Sequence, residues 1–258
     1  MQPPTGRHPL WTPLLLLLIA LPIAAVLIYF DVARSVFQRL GLSPGGAALV
    51  VGASLVGSVI NVPLTRRRIV LADPRAEQLP SMLQWLLPIV HYYPPQVAEE
   101  VLALNVGGAV VPIVFSTYLC TLATTPLGAA LIATLVVAAV AKLFAHPEPG
   151  VGITLPAFVP PLVAALAAHL LVAWMGGAAG SAAPVAYISG TIGTLVGADL
   201  LNLPRVLRGA LLQQPVLGPA TGAATQAGPP ARRVMVSIGG AGMFDGIFLA
   251  GILAPLLA

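Results

Sequence analysis

Charge is scarce in this chain. Of 258 residues, 8% are Asp, Glu, Lys or Arg, while 58% are apolar. A soluble domain usually carries about 25% charged residues, so this composition excludes a soluble enzyme, a nucleic-acid binder and a disordered tail. The partner it fits is a lipid bilayer. The formal net charge of +4 is a small excess and reads as basic cytoplasmic loops, not as a nucleic-acid surface. Cysteine is nearly absent. Cys120 stands alone, which excludes an intramolecular disulfide and a Cys-based metal site. There is no P-loop and no dinucleotide fingerprint, so neither a metal nor a cofactor is expected.

What is present is long apolar text. A spanning helix needs about 20 mostly apolar residues, and seven stretches qualify: roughly 12–31, 45–64, 101–121, 124–144, 153–175, 183–203 and 234–257. The first follows Arg7 and His8 as a signal peptide would, but its apolar run is long for one, and it is read as a retained helix. The expected fold is all-α: a polytopic integral membrane bundle of about seven helices forming one domain over residues 1–258. Arg66, Arg67, Arg68 and Arg75 fall between the second and third stretches, and Arg205, Arg208, Arg232 and Arg233 between the sixth and seventh. Placing those loops in the cytoplasm also puts Arg7 and Lys142 there and leaves only Arg34 and Arg39 on the other face. This positive-inside pattern predicts a multi-pass protein of the inner (cell) membrane, with its N-terminus cytoplasmic and its C-terminus opposite. Leu79–Tyr93 is apolar but short and Pro-broken, an interfacial or re-entrant helix. Residues 213–231, rich in Gly, Ala, Pro and Gln, read as a flexible cytoplasmic linker.

The text also repeats. Pro44–Pro63 and Pro184–Pro204 both begin with Pro, carry Leu-Val-Gly at the same distance and end Asn-x-Pro; Gly-Gly-Ala then recurs at 107–109 and 239–241. This suggests a degenerate three-helix repeat, with unit one at about 10–121, a linking helix at about 124–144 and unit two at about 153–258. Repeats of this kind are frequent among transporters, whose sites lie at the repeat interface. Each Gly-Gly pair is a point where a helix can unwind, or alternatively a small-residue packing contact.

Six of the eight acids fall in loops or at ends. The other two, Asp199 and Asp245, fall inside the sixth and seventh apolar stretches. An acid at the centre of a spanning helix costs roughly 2.5–3.5 kcal/mol, so such residues are rare and usually functional. The matching places in the first unit are apolar, Val59 and about Ile113. On adjacent antiparallel helices the two carboxylates can face each other and share one proton. Such a pair can activate water for hydrolysis or carry protons and cations. Supporting candidates are Asn202, which either bonds to Asp199 or caps its helix before Pro204; Asn105, at the Gly107-Gly108 turn; the glycines Gly239, Gly240 and Gly242; and His169, in a proton relay or an interhelical bond.

The patterns ALNVGGAVVP, GVGITLPAFVPP, GTLVGADLLNLP and GGAGMFDGIFLAG resemble an uncharacterised bacterial and archaeal multi-pass membrane family, domain of unknown function 1614, a resemblance that brings no activity. More loosely, acids on a sixth and a seventh helix are similar to the presenilin, signal-peptide-peptidase and prepilin-peptidase proteases. Those use Gly-x-Gly-Asp. Here Met243 and Phe244 intervene between Gly240-Ala241-Gly242 and Asp245, and Gly197-Ala198-Asp199 keeps one glycine. Their Pro-Ala-Leu motif is absent after the second acid, and Leu155-Pro156-Ala157-Phe158 lies upstream instead. The first functional expectation is an intramembrane aspartyl-protease-like hydrolase using Asp199 and Asp245 on a membrane-embedded peptide. The alternatives are a proton- or cation-coupled carrier of a small solute with the same acids, and a non-catalytic membrane scaffold.

Overall fold

The computed structural model describes residues 11–71, 96–122, 124–148, 152–212, 232–240 and 246–258. The eight α-helices among them are α1 (Trp11–Arg39), α2 (Pro44–Gly57), α3 (Val111–Thr121), α4 (Leu127–Phe144), α5 (Val159–Trp174), α6 (Ala182–Thr194), α7 (Leu203–Leu212) and α8 (Gly246–Leu257). The strands are β1 (Asn61–Leu71), β2 (Gln96–Asn105), β3 (His146–Glu148), β4 (Gly152–Thr154) and β5 (Arg232–Ile238). The chain divides into two compact units, 1–52 and 53–258. Leu79–Tyr93, the 213–231 linker and residues 241–245 lie outside the described residues.

In the first unit, α1 ends at Gly41, whose φ of +93° lets the Leu42 N–H reach back to the Phe37 carbonyl at 3.1 Å. Ser43 then starts α2, its hydroxyl accepting from the Gly46 N–H at 3.1 Å. Large apolar side chains of α1 from Leu14 to Ile28 are exposed.

The second unit is a helical bundle with a small sheet. Helix α6 is its axis, buried at nearly every position from Ala182 to Thr194 and packed against α3, α4, α5 and α8. Around it the usual pattern is inverted. Helix α4 turns Ala129, Ala130, Ala133, Ala138 and Ala141 inward and exposes Leu127, Leu131 and Leu135; α5 buries Ala164, Ala165 and Ala168 and exposes Leu162, Leu166 and Leu170. Small residues inside let helices approach closely, and large apolar residues outside suit a hydrocarbon solvent. Three segments among the described residues are long and apolar enough to cross a membrane: Leu14–Arg39, Leu127–Phe144 and Ala182–Leu207. Four further apolar helices (Pro44–Gly57, Val106–Thr121, Val159–Trp174 and Gly246–Leu257) are shorter.

The all-α expectation is therefore corrected at the ends of several apolar stretches. Stretch 45–64 is a helix only to Gly57 and then enters β1. Stretch 101–121 begins as the end of β2, and stretch 234–257 begins as β5. Hydropathy measures composition, and Val/Leu/Ile-rich strands are as apolar as helices. Pro63 pushes Val62 into extended backbone, and it sits on β1, an edge strand, where its missing N–H is tolerated. The sheet order is β1-β2-β5, with β1 antiparallel to β2 from Asn61↔Asn105 to Leu71↔Gln96 and β5 parallel to β2 from Ala98↔Arg232 to Leu104↔Ile238. In this register Glu99 stands opposite Arg68 on one side and Arg233 on the other. The two basic segments thus share one sheet. Strands β3 and β4 form a separate antiparallel pair that includes His146.

Candidate functional site

Two points in the second unit carry a widened helical turn. After β2, Val106–Val110 forms a π-helical turn before α3; after α6, Leu195–Leu200 forms another. Isolated π-turns insert one extra residue into a helix and often mark functional positions. The first is started by Asn105, which is buried: its Oδ1 accepts from the Gly108 N–H at 2.8 Å. Its Nδ2 donates to the Ser58 carbonyl at 2.8 Å and to Asn61 Oδ1 at 3.2 Å. Asn61 Oδ1 also accepts from the Ser237 hydroxyl at 2.6 Å. The end of α2, the first residue of β1, the last of β2 and the penultimate residue of β5 are thereby tied into one polar knot.

Asp199 lies in the second π-turn, inside the membrane-length segment Ala182–Leu207, and is half-buried. Its Oδ2 accepts from the Gly239 N–H at 2.7 Å, a short, charge-assisted bond when the carboxyl is ionised. Gly239 directly follows β5 at a φ of +88° and Gly240 at +48°, conformations that glycine adopts without strain. A Cβ on Gly239 would meet the Cβ of Ala109 at 2.8 Å and the Gly108 carbonyl carbon at 3.0 Å. The second Gly-Gly pair therefore sits directly on the first, and Asp199 is fixed where the two meet. Ala109, Leu195, Ile238 and Ile247 form a buried apolar cluster here, with Leu102, Leu104 and Leu203 against it.

The carbonyls freed by this π-turn find side-chain donors. Asn202 is buried, and its Nδ2 reaches the Gly197 and Ala198 carbonyls at 3.3 and 3.0 Å. Its own carbonyl accepts from the N–H groups of Arg205 and Val206. Asn202 thus closes one helical segment and opens α7. Lys142, from the end of α4, donates to the Leu201 carbonyl. Gly197 allows the close crossing of this turn over α4, for a Cβ there would overlap the Ala138 backbone.

The remaining sequence candidates separate. Asp245 and Gly242 lie outside the described residues. The described part of helix α8 begins at Gly246. His169 is exposed, and its Nε2 lies 3.4 Å from the Leu257 carbonyl, at the far end of α8 from Gly246. Sequence reasoning passed over Asn61, Ser237 and Lys142. The first and last carried a signal: Asn61 opens the Asn-x-Pro that recurs at Asn202, and Lys142 is the sole charge in an apolar 18-residue helix.

A family model described as a protein of unknown function (DUF1614) matches residues 55–257, a range that contains both π-turns, both Gly-Gly pairs and Asp199. No curated protein and no solved structure matches the chain, and the presenilin-type likeness of the two acids gains no support.

Proposed function

The chain belongs to the DUF1614 family, whose function is unknown, and from its site we propose that it is a membrane-embedded carrier in which Asp199 takes up and releases the coupling proton or cation. The observation that carries this reading is the Asp199–Gly239 bond, made where two strand–Gly-Gly–helix breaks lie against each other. Carriers place their sites at interrupted segments between structural repeats, and acids within the membrane mark functional sites, proton relays and ion pathways among them. The inverted packing of α4 and α5 and the three membrane-length segments support a multi-pass setting in the cell membrane, with the arginine-bearing sheet at the cytoplasmic face. In this mechanism the ionised carboxylate holds the Gly239 amide and with it the end of β5. Protonation removes the charge and weakens that bond. The positive-φ pair Gly239-Gly240 then serves as the hinge through which proton binding moves the end of β5.

A second reading, the aspartyl-protease-like hydrolase, is favoured by the same bond in one respect: it fixes Gly239, six residues before Asp245 in the sequence, against Asp199. One experiment tests both. Purified protein in liposomes enclosing a pH-sensitive dye is exposed to imposed gradients of sodium, potassium, amino acids and small organic acids, and separately to co-reconstituted single-span peptides. The carrier reading expects solute-dependent proton movement that Asp199→Asn abolishes, with no peptide cleavage. Cleavage lost in both Asp199→Asn and Asp245→Asn would replace it with the hydrolase. Neither proton movement nor cleavage by the wild type leaves the scaffold.

A further inference from the structure

In the first compact unit, α1 and α2 leave between them an open groove of about 390 Å3, lined by Leu27, Phe30, Asp31 and Arg34 of α1 and by Ala48, Val51 and Gly52 of α2. We infer that this groove seats one phospholipid with a primary-ammonium zwitterionic headgroup: phosphate on Arg34, ammonium on Asp31, and an acyl chain along Leu27 and Phe30. The inference rests on the membrane setting but not on carrier activity, since none of these residues belongs to the Asp199 site. The lining positions on α1 are spaced by three and four residues, so they occupy one helix face. The apolar run of α1 begins at Leu14 and its first charge is Asp31. A hydrocarbon core spanned by about 20 residues therefore ends near Asp31 and Arg34, at headgroup depth.

The pair itself sets the selectivity. Arg34 Nη2 lies 3.2 Å from Asp31 Oδ1, and both side chains are more than half exposed, so each keeps bonding capacity for a ligand. A guanidinium matches phosphate oxygens in a bidentate fork. A carboxylate beside it accepts charge-assisted N–H bonds from a primary ammonium, accepts only neutral O–H bonds from the uncharged glycerol of phosphatidylglycerol, and finds no N–H on a quaternary ammonium. Below the pair, Val51 is buried, Phe30 and Leu27 form the wall, and Ala48 and Gly52 keep the α2 side low: a Cβ on Gly52 meets nothing within 4 Å.

The test uses the full-length protein, delipidated in detergent and titrated with phosphatidylethanolamine, phosphatidylcholine and phosphatidylglycerol of equal chain length. Bound lipid is counted by native mass spectrometry. The wild type is expected to retain one phosphatidylethanolamine in roughly three- to tenfold preference to phosphatidylglycerol, the effect of about one charge near a headgroup. Arg34→Gln should lose that retention by the same factor, and Asp31→Asn should lose the discrimination against phosphatidylglycerol. Gly52→Leu, which fills the groove while improving helix propensity, should release the lipid whatever its headgroup. Equal retention of the three lipids, or a preference that survives Gly52→Leu, overturns the inference. Extraction of the protein from cell membranes by alkaline carbonate would overturn the membrane setting itself and is read separately.

Discussion

The Gly239 amide and the Asp199 carboxylate meet at 2.7 Å across 40 residues of sequence, joining the end of β5 to the π-turn that follows α6. This contact separates two roles of the acid, hydrogen-bond acceptor and charge. Asp199→Asn keeps an acceptor and should leave thermal unfolding in detergent close to wild type while abolishing proton-coupled flux. Asp199→Ala removes both, strands a backbone donor, and should lower stability by about 1–3 kcal/mol. Equal stability of the Asn and Ala variants would mean that the bond contributes nothing to the fold.

Glycine substitutions should split sharply by position. A Cβ on Gly107 would overlap the Ser54 carbonyl oxygen, and one on Gly197 the Ala138 carbonyl oxygen. Backbone cannot move aside as the tip of a side chain does, so each Gly→Ala change there should cost about 1–3 kcal/mol or more. Gly45→Ala meets open space in helix α2 and should be neutral or stabilising by up to about 1 kcal/mol. Melting midpoints and gel-filtration profiles of the three variants check this. A well-behaved Gly197→Ala would contradict the close crossing of α4 and the second π-turn.

Much of the helical frame was legible because it depends on composition. Leu14–Arg39, Leu127–Phe144 and Ala182–Leu207 have few charges and no consecutive positive-φ glycines, and apolar length alone locates them. The strands were hidden by the same property: Val101–Asn105 and Val234–Ile238 are as apolar as the helices they lead into, so a hydropathy window runs across the change of backbone. The Gly-Gly pairs marked the breaks, but not that a strand stands before each one. At the site, scarcity of charge singled out Asp199, because every acid in apolar text is conspicuous. Gly239 stood out as one of a glycine pair but not as the partner of Asp199, since a backbone N–H has no letter of its own. Asn61 and Asn105 are brought together by β1–β2 pairing 44 residues apart, which no local spacing encodes.

Asn105 should be the most sensitive polar residue of the knot. Asn105→Ala removes the acceptor that starts the first π-turn and the donor to Ser58 and Asn61. A lost cap together with a buried orphaned group costs about 2–3 kcal/mol. Asn105→Asp keeps the acceptor for the Gly108 N–H but sets a second carboxyl oxygen against the Ser58 carbonyl and Asn61 Oδ1 in a buried place, so it should lose at least as much stability as Asn105→Ala while keeping the cap. Amide exchange at Gly108 gives the local readout: fast in Asn105→Ala, slow in Asn105→Asp. Equal protection in both variants would remove Asn105 from the capping role.

His169 should be dispensable for coupling. A proton relay passes between groups within hydrogen-bond reach or through one bridging water. Asp199 is tied to Gly239, on the side where α8 begins, whereas His169 lies beside Leu257 at the other end of that helix. The 12 residues of α8 span about 18 Å at 1.5 Å per residue, several relay steps away. The His169 contact is exposed and long at 3.4 Å, so little stability depends on it. His169→Phe should therefore keep solute-dependent proton movement within about twofold of wild type, a barrier change below 1 kcal/mol, under conditions where Asp199→Asn shows none. A loss in His169→Phe as complete as in Asp199→Asn would place both residues on one proton path and require a second route between the ends of α8.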